Sequence, residues 1–202
     1  MKPLTFTLMA LACFAQAPLP ELHTDAVDAG SIFRVKNNFS KPLVAYSIEL
    51  VGYPGSFYTF IVDEVNGQSV KPGEERASRV QNMTVGAVPD YVKLTAALYS
   101  DGLSVGDPAK VAILQDRRQA MLEATRGVIQ RITAAKDKRA LIVELNAWAD
   151  TIVPPGKATR NSNQSGARAV VADAAVALEK LSLDEELAQL KKLEIALTAA
   201  SH

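Results

Sequence analysis

Two histidines are the first residues to weigh for catalysis: His23 near the start of the chain and His202 at its end. Neither stands where a local argument sets it against a serine and a carboxylate, so no hydrolytic triad is read. Metal sites fail on spacing. There is no His-x₃-His, no cysteine pair and no calcium loop of alternating carboxylates. Adjacent acids occur at Asp63-Glu64 and Glu74-Glu75, beside turns where solvated acids are ordinary. Gly156-Lys157-Ala158-Thr159 lacks the glycine five residues earlier that a phosphate loop needs, since Thr151 is there. Asp101 to Asp107 offers two carboxylates around a glycine-bearing turn, too few oxygen ligands for calcium. The expectation is no catalytic residue, no metal ligand and no cofactor.

A binding segment is the better candidate. Tyr53, Phe57 and Tyr58 fall within six residues of a chain that is only 6% aromatic. Gly52, Pro54 and Gly55 make that segment a turn between strands. Aromatics on a turn of a rigid scaffold can hold a sugar or a protein partner. The competing reading is that Phe57 and Tyr58 open a core strand and only Tyr53 is exposed.

The elements that position these residues change type along the chain. Val44, Tyr46, Ile48 and Leu50 alternate with Ala45, Ser47 and Glu49, the period of a strand with one face in a core. Val92, Leu94, Ala96 and Leu98 repeat it, opposed by Tyr91, Lys93, Thr95 and Tyr99. Phe33 and Val35 form a shorter instance, and 57–65 is apolar on both parities. Asn66-Gly67 suits a hairpin, and Pro72-Gly73 suits the centre of a type II turn. The period then lengthens. Asp107-Pro108 reads as a helix cap followed by the first helical residue. Apolar residues recur at three- and four-residue steps from Val111 to Ile132, and the stripe resumes from Leu141 to Ile152. Lys136-Asp137-Lys138 is either a break or a solvated middle. Pro154-Pro155-Gly156 ends the stripe, and 153–166 reads as one long polar loop. A third helix is expected over about 167–181. Ser182-Leu183-Asp184-Glu185 matches a capping box opening a fourth, with Leu187, Leu190, Leu193 and Leu197 on one side. The polar faces mix acids and bases: Arg117, Glu123 and Arg131; Glu179, Lys180, Glu186 and Lys192.

The fold class expected is therefore α+β. An antiparallel β-sandwich of about six strands, immunoglobulin-like in the loose architectural sense, occupies 31–107. A helical region of three to four helices occupies 108–202. Residues 18–30, with Pro18 and Pro20 and no periodic pattern, read as an extended arm.

Residues 1–17 read as a signal peptide. Lys2 supplies the positive charge, Leu4 to Phe14 the apolar run, and Ala15-Gln16-Ala17 the small-x-small site. Pro18 is an awkward residue after that bond, so cleavage after Ala15 is the fallback. The mature chain is expected in the periplasm or medium. Cys13, the only cysteine, lies within this leader. A lipoprotein anchor at Cys13 is the minor alternative, because Ala10-Leu11-Ala12-Cys13 departs from the usual box at Ala10. No later segment is long and apolar enough to span a bilayer.

Charge adds little. Lys and Arg number 22, as do Asp and Glu. Residues 18–107 carry seven basic and eleven acidic side chains, and 108–202 carry fourteen and eleven. That is not the concentrated basic surface a nucleic-acid partner requires.

The stretch from Val92 through Tyr99-Ser100-Asp101-Gly102 to Gly106-Asp107-Pro108 and Arg117 resembles a junction in exported bacterial proteins without an assigned activity. In these a small sandwich runs into a helical tail through a Tyr-x-Asp-Gly…Gly-Asp-Pro segment. The resemblance implies an architecture and carries over no functional residue. The functional expectation is an exported, non-enzymatic binding or scaffolding module. The alternative is a carboxylate-type hydrolase, which a cleft holding two close carboxylates, one with a raised pKa, would favour.

Overall fold

A computed structural model describes residues 18–28, 30–52, 58–64, 68–81, 91–152 and 163–199. Among the described residues, seven strands precede four helices. The strands are β1 (Glu21–Val27), β2 (Gly30–Lys36), β3 (Leu43–Leu50), β4 (Tyr58–Asp63), β5 (Glu75–Gln81), β6 (Val92–Tyr99) and β7 (Ser104–Gly106). The helices are α1 (Pro108–Ala134), α2 (Lys138–Ile152), α3 (Asn163–Lys180) and α4 (Leu183–Ala199). The strands form two antiparallel sheets, ordered β1-β2-β5 and β4-β3-β6-β7. Phe33 and Val35 from the first sheet and Tyr46, Ile48, Leu50, Val92 and Tyr99 from the second bury their side chains in one core.

Residues 18–30 are not an arm outside the fold. Glu21 to Val27 pair along their whole length with β2, so the sandwich begins at Glu21 rather than at 31. The strand shows little apolar period because it is an edge, with Leu22 half-buried against the sandwich core. Its side chains are exposed or half-buried. The ladder holds it, with Arg34 Nε donating to Asp25 at 2.7 Å.

The sheet of β4-β3-β6-β7 is also buried on both sides, where the alternation predicts one. Every residue of β3 is buried. Its second face lies under α1, where Val44, Ala45, Ala96, Leu98 and Leu114 form a separate cluster. Two bulges switch the parity. The β3–β6 register skips Val44 and Thr95, leaving each as an extra residue. Ala96 and Leu98 therefore face α1, while Ala97 and Tyr99 face the sandwich core. Tyr99 is fully buried and stacks at a tilt on Phe39, with its hydroxyl donating to the Pro18 carbonyl at 3.1 Å. Burial pushes the Tyr99 phenol up to about 12.

The junction into the helices follows from these bulges. Gly102 (φ 84°) makes the turn into β7. Gly106 (φ 111°) then passes against the Thr95 carbonyl, which accepts the Asp107 N–H at 2.9 Å. Asp107 caps α1, its carboxylate accepting from the Ala109 N–H at 2.8 Å, and Pro108 stands in the first helical turn. At Lys136-Asp137-Lys138 the helix breaks. The Ala135 N–H closes on the Ile132 carbonyl, and Asp137 caps α2 by accepting from the Arg139 N–H at 2.8 Å. The capping box forms reciprocally: Ser182 Oγ accepts from the Glu185 N–H at 3.3 Å, and Glu185 accepts from the Ser182 N–H at 2.8 Å.

The helices share a core of their own, with Met121, Val128, Leu145, Val171, Leu178, Leu190 and Leu197 buried. They pack on each other and, through α1, on the sandwich. No described helix is long and apolar enough to cross a membrane.

Candidate functional site

The side chains that matter chemically lie where sandwich and helices meet. Asp63 closes β4 and Glu64 follows it. These acids are not solvated, contrary to the sequence reading. Asp63 is 1% exposed, and Arg118, on the face of α1 turned to the sandwich, is equally buried. Arg118 donates through Nη1 to Asp63 at 2.9 Å and through Nη2 to Glu64 at 2.9 Å. Nη2 also lies 3.2 Å from the Ala196 carbonyl of α4. One guanidinium therefore ties together β4, α1 and α4. Lys110 adds a second tie across the junction, to Glu49 of β3 at 2.7 Å. Arg117, expected on a polar face, is 5% exposed and donates to Ser165 of α3 at 2.8 Å. Burial holds its guanidinium below the usual arginine range. Gly166 allows this approach, since a Cβ there would lie 2.7 Å from Met121 Sδ and 3.0 Å from Arg117 Cζ.

Beside this network lies a cleft of about 320 Å³ between α3 and α4, with Glu64 at its sandwich end. From α3 it is lined by Val170, Asp173, Ala174 and Ala177, and from α4 by Glu186, Gln189, Leu190 and Leu193. Both sets follow the i, i+3, i+4, i+7 spacing of a single helix face. The α3 face is aliphatic with one acid set into it, and the α4 face pairs Leu190 and Leu193 with Glu186 and Gln189. Glu186 departs most from the sequence reading, which puts it on the solvated face. It is 4% exposed, and its Oε2 has no hydrogen-bond partner among the described residues. An orphaned buried carboxylate oxygen is a destabilising feature, and such features collect at functional sites.

All three acids of the cleft are held above the ordinary carboxylate range, with loss of solvent as the main cause. For Glu64, Arg118 opposes the rise. A carboxyl raised in the folded state keeps its proton longer than the same group in the unfolded chain. Folding therefore takes up protons between the ordinary value, 4.5 for Glu, and the raised one. Stability from these groups is full below that window and lost as pH rises through it. Glu21 and Glu185 shift the other way, through the Asn38 side chain and the Ser182 backbone N–H, and act only below 4.5. Urea unfolding followed from pH 4.5 upward should show stability falling, with Glu186→Gln flattening the fall. A profile that rises, or one identical in Glu186→Gln, would contradict the assignment.

Of the three aromatics singled out in the sequence, Tyr53 and Phe57 lie outside the described residues. Tyr58 opens β4 and packs, half-buried, against the sandwich core. Lys157 and Arg160 also lie outside the described residues, while Arg168 pairs with Asp150 at 3.3 Å. Among the described residues no group of His, Cys, Asp and Glu is arranged to hold a metal. A signal for the cleft does exist in the sequence: Glu186 falls four and seven residues before Leu190 and Leu193. Asp173 likewise sits in the stripe of Val170, Ala174 and Ala177. Comparison with family models, with curated proteins and with solved structures gives no match to the chain.

Proposed function

We propose that this chain is an exported, non-enzymatic binding module whose ligand site is the α3–α4 cleft beside Glu64. One observation carries the reading: Glu186 is buried with an unpartnered carboxylate oxygen on the wall of a cleft large enough for a small molecule. A donor bound there would give the Glu186 carboxyl the partner that the described residues do not supply. The sandwich and the helix pairs act as frame, joined by Arg118. A thermal-shift panel of amines, amino acids, carboxylates, phosphate and neutral sugars tests the reading. At least one member should stabilise the protein, by about 2.7 kcal/mol at a hundredfold excess over its Kd. Glu186→Gln should diminish that gain. No stabilising member, or equal stabilisation of the variant, would overturn it.

The carboxylate-type hydrolase is the second reading, favoured by the raised acids on one cleft. An acid–base pair needs two carboxyls driven apart, one protonated and one ionised. Here all three move upward together, so the binding reading comes first.

Export rests on the order of charge, apolar run and Ala15-Gln16-Ala17. N-terminal sequencing of protein recovered outside the cytoplasm should begin at Pro18, or at Gln16 if the proline blocks the later bond. An acylated Cys13 would establish the lipoprotein alternative, and an intact Met1 would refute cleavage.

A further inference from the structure

We propose that the α3–α4 cleft takes a protonated aliphatic amine, with its ammonium group against Glu186 and Asp173 and its carbon chain along Val170, Ala174, Ala177, Leu190 and Leu193. The inference rests on the binding reading above and names the ligand class. Charge is the first argument. Three acids line the cleft, and Arg118 answers Glu64. Nothing in the described residues answers the buried Oε2 of Glu186, and no described hydrogen bond or ion pair reaches the Asp173 carboxylate. Among the described residues, Gln189 is the only other polar side chain in the lining. The lining therefore favours positive charge.

The rest of the lining selects among cations. A metal would want several oxygen ligands converging at short range, and the described residues hold no such group. A quaternary ammonium is held by aromatic faces, and no aromatic among the described residues lines this cleft. A primary ammonium is compact and has three donors to share between carboxylates. Its methylene chain matches an aliphatic wall, much as a lysine stem lies along apolar surface. The raised carboxyls agree with this: they are acids in an environment that lacks the counter-charge which would keep them ionised.

Isothermal titration of the purified chain with 1,5-diaminopentane, at neutral pH and low salt, tests the inference. The neutral isostere 1,5-pentanediol is the control for the apolar wall. The diamine should bind with one site and the diol should not. Glu186→Gln should weaken the diamine at least tenfold, and Asp173→Asn should weaken it in the same direction. Asp173 is exposed, so that variant keeps the test decisive if Glu186→Gln fails to fold. Equal affinity for wild type and both variants would place the amine elsewhere and overturn the inference. Absence of amine binding would overturn it too. If a sugar or an anion from the wider panel stabilises wild type but not Glu186→Gln, the amine is overturned and the binding module stands. If nothing in the panel binds, both fall.

Discussion

Replacing Arg118 by alanine will destabilise the protein by about 3–5 kcal/mol, a large part of the stability of an ordinary domain. The guanidinium and the Asp63 carboxylate are each 1% exposed, and the bond between them spans 55 residues of sequence. Removing one partner of a buried pair leaves the other's desolvation uncompensated, which is why the loss exceeds that of a surface ion pair. Glu64 and the Ala196 carbonyl lose a donor in the same step. The double variant Arg118→Met with Asp63→Leu should recover the part of the loss that comes from stranding Asp63, while Glu64 still lacks its donor. Urea unfolding of the single and double variants checks this. A single-variant loss below about 1 kcal/mol would mean that Arg118 is solvated and does not clamp sandwich to helices.

Gly106→Ala should cost about 3 kcal/mol or more. Its φ of 111° is a conformation that L side chains rarely adopt. A Cβ there would also strike the Thr95 carbonyl oxygen and lie 2.8 Å from Ala96 Cα. Neither neighbour is a flexible side chain, so backbone must move. Gly73 separates the two effects. It has φ 79° in the turn closed by Glu74 N–H on the Lys71 carbonyl, but nothing stands within 4 Å of its Cβ position. Gly73→Ala should therefore cost only about 1–2 kcal/mol. Thermal unfolding of both variants decides the matter. Equal losses would show that φ alone matters at Gly106 and that the close approach to Thr95 is unimportant.

What could be read from the sequence was whatever local pattern governs. The alternation in 44–50, the turn at Pro72-Gly73, the cap at Asp107-Pro108 and the box at Ser182 to Glu185 each involve residues a few positions apart. All of them form. Bulges escape such reading, because an extra residue at Val44 or Thr95 is defined only by its partner strand. So does burial of the second face of β3, which depends on a helix some 60 residues later. Strand β1 escapes for the opposite reason: main-chain pairing holds an edge that buries little. The site was harder still. Residue type puts Asp63, Glu64, Arg117, Arg118 and Glu186 in water, as charged side chains usually are. Their burial follows from partners brought in from distant elements. Glu186 and Asp173 did carry a sign, each sitting at helical spacing within an aliphatic stripe. Without the facing helix, however, an acid beside a stripe reads as its solvated border.

On the proposal above, the carboxyls of the α3–α4 cleft bind a cation. Calorimetry of 1,5-diaminopentane binding just above the ordinary Glu value of 4.5, in two buffers of different ionisation heat, tests this. The amine, with a pKa near the ~10.4 of a lysine ammonium, is fully protonated there and exchanges no proton itself. A cation beside Glu186 and Asp173 lowers their pKa values, so protons held by the raised carboxyls must leave as it binds. The account predicts net proton release from the wild-type protein and a smaller release from Glu186→Gln. Binding heat that is the same in both buffers, or equal proton release from Glu186→Gln, would contradict it.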